Sequence, residues 1–171
     1  FTLTSPMQMA NVVSMIVNSG VIYKPHLLKE VHDPVTGTVL SVSRPEQLTQ
    51  SSIRPEVFAH VRSDMRNVIT DGTAQFPMRN RVVQTAGKTG TAEVGLNDRW
   101  HSWMVAYGPY DAPAEDAVVV VVMVEATNPW EWWAPYATNI IFQGIFADET
   151  FEEAIDSLGF RSIAQPRGRR E

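Results

Sequence analysis

Thr85-Ala86-Gly87-Lys88-Thr89-Gly90-Thr91-Ala92 admits two incompatible structures. Gly87-Lys88-Thr89 is how a phosphate-binding loop ends, and such a loop opens a helix. That loop needs a glycine five residues before Gly87, where Val82 stands, and no glycine-rich turn precedes it. Thr91, Val94 and the flanking valines suit a strand instead. The nucleotide reading fails on spacing and on context. On a strand, Thr89 and Thr91 share one face, so two hydroxyls can converge on one carboxylate or carbonyl. Gly90 between them leaves room for a substrate backbone alongside, as in strand addition. Lys88 brings a charge that holds an anion or tunes a neighbouring nucleophile. A backbone N–H here can face a developing oxyanion, and losing one such donor raises a barrier by about 3–4 kcal/mol.

Outward from this segment, strands are predicted over 81–94, 102–107 and 117–125. The last contains Val-Val-Val-Val-Val-Met-Val, a β-branched run that predicts a central strand covered on both faces. Short connections with Gly108-Pro109 and Pro113 favour an antiparallel meander. Upstream, Ser5, Pro6 and Gln8 form a capping box before Met9, Val12, Val13, Ile16 and Val17, with Gly20 as the stop. Residues 26–43 read as a hairpin, strands 27–31 and 38–42 turning at Asp33, Pro34 and Gly37, followed by a polar connection. Pro55 opens a second helix with Val57, Phe58, Val61, Met65, Val68 and Ile69 on one stripe, ending at Asp71-Gly72. An apolar helix over about 134–146 follows the strands. Thr150 to Glu153 is a second capping box, opening a short helix that ends near Leu158-Gly159. The expected fold is α+β, a three-stranded antiparallel sheet packed by helices. That sheet is narrow for the chain's length.

The chain has 171 residues, 44% apolar and 19% charged, enough to build a core and too apolar for wholesale disorder. A net charge of -5 argues against nucleic acid as a partner. With no cysteine there is neither a disulfide scaffold nor a thiolate metal site. The longest apolar run, the eight residues 117–124, is far short of the roughly 20 that span a bilayer. No signal peptide opens the chain, and of its fourteen basic residues only Lys24, Lys29 and Lys88 are lysines.

Lys88-Thr89-Gly90-Thr91 resembles the third motif of penicillin-binding proteins and serine β-lactamases. Its surroundings strengthen the match. Thr4-Ser5-Pro6-Met7-Gln8-Met9-Ala10 is similar to the Thr-Pro-Leu-Gln-Xaa-Ala helix start of the transpeptidases, with a serine inserted, and Asn18-Ser19-Gly20 and Pro25 follow. Val68 with Gly72-Thr73-Ala74 resembles their Val-Val-x-x-Gly-Thr-Ala helix end. His101-Ser102-Trp103-Met104-Val105-Ala106-Tyr107-Gly108-Pro109 resembles the strand after the lysine motif, and Ala134-Pro135 the start of the last helix. The likeness runs over about residues 2 to 147 in the family's order. Ala92 and His101 lean to the monofunctional, class B proteins.

The resemblance implies an incomplete transpeptidase fold from a peptidoglycan D,D-transpeptidase that cross-links stem peptides through a serine acyl-enzyme and is acylated by β-lactams. It implies Lys88 in the proton-transfer network, Thr89, Gly90 and Thr91 binding substrate with both hydroxyls on its terminal carboxylate, and the Thr91 N–H as half of an oxyanion hole. No cofactor or metal is implied. The parent would be anchored at the extracytoplasmic face of the bacterial inner membrane by a segment not found here. In domain terms, residues 1–147 read as the C-terminal part of a transpeptidase domain, 148–160 as a short terminal helix, and 161–171 as a basic, fraying tail.

The family's Ser-x-x-Lys and Ser-x-Asn motifs are missing. Three residues before the lysines stand Val21, His26 and Thr85, and no Asn or Asp has a serine two positions earlier. The chain alone is therefore expected to be inactive, its partner being the rest of the domain upstream. The alternatives are a serine β-lactamase or β-lactam sensor, and a non-catalytic interaction domain of the same fold. Some residues have plainer readings. Lys88 can be a solvated lysine, and Thr89 and Thr91 simply strand formers. His101 reads first as a structural strand-end histidine and second as a cleft-rim residue, with no second histidine at metal-ligand spacing. Trp130, Trp132 and Trp133 read first as a packed loop over the sheet end, and second as a cleft rim. Ser102 is no partner for His101, because adjacent strand residues face opposite ways.

Overall fold

The computed structural model of the chain describes residues 3–95, 99–127 and 132–164. Ser5 caps the first helix, α1 (Pro6–Val17): its side chain accepts from the Gln8 N–H while the Gln8 side chain accepts from the Ser5 N–H. Gly20, at φ +101°, ends the turn after it; a Cβ there would also stand 2.8 Å from the Phe58 ring.

Two short ribbons follow. β1 (Val21–Tyr23) pairs antiparallel with β4 (Gln47–Gln50), and between them β2 (Glu30–His32) pairs with β3 (Val39–Val42). The β2–β3 turn is held by Asp33, whose carboxylate accepts from the Val35 and Thr36 N–H groups, and by Gly37 at φ +71°. The hairpin of residues 26–43 is thus present with shorter strands. The polar connection after it holds an unexpected strand, β4, which brings α2 (Pro55–Thr70) back beside α1.

The main sheet has the order β5 (Ala86–Glu93), β6 (Trp100–Gly108), β7 (Val118–Thr127), all antiparallel. The meander is as expected. The central strand is not: β6 lies in the middle, and among the described residues the valine-rich β7 pairs on one side only. Its composition reflects the covering of its two faces. Val119 and Val121 pack with α1 and α2, and Val118, Val120, Val122 and Val124 pack towards α3 (Trp133–Ala147). β5 also starts later than the expected residue 81. Asn80 accepts from the N–H groups of Val82 and Val83 and draws that stretch off the ladder.

Two cores result. One, between the sheet, α1 and α2, is built on Val13, Met65, Ala86, Val105 and Tyr107. The other joins Ile69, Ala74, Met78, Met104, Ala106 and Phe142 under α3. α4 (Phe151–Ser157) starts with the Thr150–Glu153 capping box, and Gly159 at φ +74° follows it. The tail does not fray from its first residue: α5 (Arg161–Ala164) is helical, with Arg161 paired to Asp156. Residues 165–171 lie outside the described residues.

Candidate active site

Two hydrogen-bond sets deliver the chain into β5. Arg66 on α2 donates to the Thr85 carbonyl at 2.6 Å and to Gln84 Oε1 at 3.3 Å, its guanidinium 5.8 Å from the Tyr110 ring centre. On the other side, buried Asn139 of α3 donates to the carbonyls of Pro77 and Arg79, and Asn80 donates to Asn139 Oδ1 and Gln143 Oε1. Neither set was foreseen. An asparagine inside an apolar helix was the available signal.

Within β5 the side chains alternate. Lys88 lies opposite Val105, Gly90 opposite Trp103 and Ala92 opposite His101, so Lys88, Trp103 and His101 share the face towards α1 and α2. Thr89 lies opposite Met104 and Thr91 opposite Ser102, on the face towards α3. The two threonines stand together as expected, with the lysine on the reverse side. Among the described residues the outer edge of β5 has no strand partner. That edge offers the lysine from one face and two hydroxyls from the other, with backbone groups between.

Gly90 has a further reason to lack a side chain: a Cβ would stand 3.1 Å from Trp103 Cβ. Gly87 is more constrained, since a Cβ would lie 2.6 Å from both Met104 Cε and the Val105 carbonyl oxygen. This glycine seats β5 tightly on β6. Lys88 is exposed, and its Nζ donates to the Thr89 carbonyl at 2.8 Å. Its stem lines an open cavity of about 420 Å³ between α1 and α2, walled by Met9, Val12, Val13, Val61 and Val68. Lys88 and Asp64 are the charged residues along this apolar groove.

Ser102 is buried and accepts from the Ala134 N–H at 3.2 Å. It is a structural serine that pins the start of α3 beside Thr91. The same tie sets Trp132 and Trp133 at that end of the sheet. Trp132 is 46% exposed, whereas Trp133 is half-buried and packs with Tyr136 at 6.3 Å between ring centres. Trp130 lies outside the described residues. A contact unforeseen in the sequence joins Thr73, just past α2, to the site: its hydroxyl oxygen is 3.1 Å from that of Thr89.

Residues 2–147 match the penicillin binding protein transpeptidase domain family. Penicillin-binding protein 2A of Bacillus subtilis is 33% identical over 141 residues, which cover 75% of this chain and 19% of that protein. Peptidoglycan D,D-transpeptidase PbpA of Mycolicibacterium smegmatis is 34% identical over 124 residues, 71% of this chain and 24% of that one. Among solved structures, the D,D-transpeptidase domain of a peptidoglycan glycosyltransferase from Eggerthella lenta superposes with a TM-score of 0.67 at 29% identity, covering 85% of this chain and 33% of that one. The chain belongs to the penicillin-binding protein transpeptidase family and is part of a transpeptidase domain of the class B kind. It spans about a fifth to a quarter of the length of these two curated relatives.

Proposed function

We propose that this chain is the portion of a peptidoglycan D,D-transpeptidase that supplies the carboxylate-binding wall of the active site. The observation carrying this reading is the placement of Lys88, Thr89, Gly90 and Thr91 on β5, whose outer edge has no strand partner among the described residues. A stem peptide lies along that edge. Its terminal carboxylate accepts from the hydroxyls of Thr89 and Thr91, and the Thr91 N–H donates to the oxygen that becomes negative as the carbonyl is attacked. Lys88, charged and beside the reacting centre, favours the proton's departure from the nucleophile. A β-lactam carries a carboxylate and a strained carbonyl and enters the same way.

The nucleophile comes from sequence outside these 171 residues, since no Ser-x-x-Lys lies within them. The apolar groove between α1 and α2, open beside Lys88, suits a hydrophobic helix from the rest of the domain. Residues 1–147 are then the C-terminal part of that domain, with 148–160 the helical end beyond it and the arginine-rich 161–171 a tail. Without its remainder the chain neither acylates nor transpeptidates. The parent works at the outer face of the bacterial inner membrane, where its polymer is made; among the described residues no helix is long and apolar enough to cross a membrane. His101, Trp132 and Trp133 are the described residues that would border the bound peptide.

The test is fluorescent-penicillin labelling of the full-length protein that contains this sequence. It should label, and Lys88→Ala should slow labelling by about 100-fold, the scale of an active-site electrostatic group. An unlabelled protein, or a Lys88→Ala variant that labels at the original rate, would refute the assignment.

A further inference from the structure

Thr73 approaches Thr89 from a turn held rigidly on both sides. The Ala74 N–H donates to the Val68 carbonyl at 3.0 Å, and Ala74 is fully buried in the α3-side core. Gly72 comes so near the helix end that a Cβ would stand 2.7 Å from Val68 Cα. On the other side, Gly87 fixes β5 against Met104 and Val105. The two hydroxyl oxygens, 3.1 Å apart, thus stand on backbone packed at each end.

Two hydroxyls at this distance share one hydrogen, and either can donate. An anion removes that freedom. A carboxylate only accepts, so Thr89 must donate to it, and the Thr89 oxygen is left to accept from Thr73. A chain then runs from the Thr73 O–H to Thr89 and from the Thr89 O–H to the carboxylate, each bond polarising the next. We propose that Thr73 is a positioning residue for carboxylate recognition, holding the Thr89 hydroxyl in the rotamer and proton direction that an anionic substrate needs. The inference rests on the reading of β5 as the carboxylate-binding wall. Thr73 is exposed, so a change there leaves the core intact.

The experiment uses the full-length protein, with Thr73→Val and Thr73→Ser beside the unaltered form. Second-order acylation rate constants are measured by intact mass with benzylpenicillin and with its methyl ester, which lacks the anion. Thr73→Val should lose about 5-fold with the acid, the scale of one net hydrogen bond, and be unchanged with the ester. Thr73→Ser, which keeps the hydroxyl, should match the unaltered protein with both. An equal loss with acid and ester would mark a merely structural residue and overturn the inference, as would no loss with either. An unaltered protein that neither compound acylates would overturn the reading of the site itself, and the inference with it.

Discussion

Lys88 and Thr89 are neighbours that face opposite sides of one strand, and that opposition makes an edge strand useful. Neither face alone brings together a cation, two hydroxyls and a backbone donor; the edge does. The glycines around them are explained by neighbours: Gly87 by Met104 and the Val105 carbonyl, Gly90 by Trp103. Tyr107, further along β6, carries a cost of another kind. It is buried, and its hydroxyl has no hydrogen-bond partner among the described residues. Burial, reinforced by the neighbouring Tyr110, pushes its pKa up to about 12. The unfolded phenol ionises first, near pH 10, so this residue's contribution is intact below that pH and lost as pH rises towards 12. In the full-length protein, Tyr107→Phe should raise stability by about 1 kcal/mol at neutral pH, because it removes an unpaired buried hydroxyl. It should gain more at pH 11, as followed by urea denaturation at both pH values. A variant that is less stable, or equally affected at both, would show that the hydroxyl is satisfied.

Among the elements, α3 does more than cover a face. Asn139, fully buried on it, ties down the carbonyls of Pro77 and Arg79 and orients Asn80, whose own oxygen holds Val82 and Val83. That stretch leads directly into β5, so a helix side chain governs where the lysine strand begins. Asn139→Ala leaves several buried groups unpaired at once and should destabilise the full-length protein by about 3 kcal/mol, read from its denaturation midpoint. A change under about 0.5 kcal/mol, the size of an ordinary surface substitution, would remove Asn139 from this role.

The legibility of these elements follows from where their information lies. Ser5 with Gln8, Thr150 with Glu153, and Gly20 are local devices, and the helix ends they specify are present. The hairpin turn at Asp33 and Gly37 is local too. β4 leaves no signal in the sequence because Gln47-Leu48-Thr49-Gln50 is exposed throughout and owes its strand to pairing with β1. The valine run of β7 spoke truly about two covered faces, but strand order depends on pairing that no single run encodes. Around Lys88, the sharing of one face by Thr89 and Thr91 was readable because it follows from strand alternation alone. The Thr73–Thr89 contact, sixteen residues apart, depends on how α2 lies against β5.

For the molecule as a whole, the apolar surface speaks most directly. Among the described residues Val12 and Met7 on α1 and Val57 on α2 are exposed, and the hairpin presents Leu27, Leu40 and Val42. Such a surface fits part of a larger domain, in agreement with the share of its relatives that the chain matches. The central claim is that these residues form one wall of a site whose nucleophile lies elsewhere. Intact-mass analysis with peptide mapping, after benzylpenicillin treatment of the 171-residue chain and of the full-length protein, tests it most directly. The account predicts one penicilloyl group on the full-length protein, carried by a serine of a Ser-x-x-Lys sequence outside this chain, and none on the chain by itself. A penicilloyl group on any residue between Phe1 and Glu171 would contradict it.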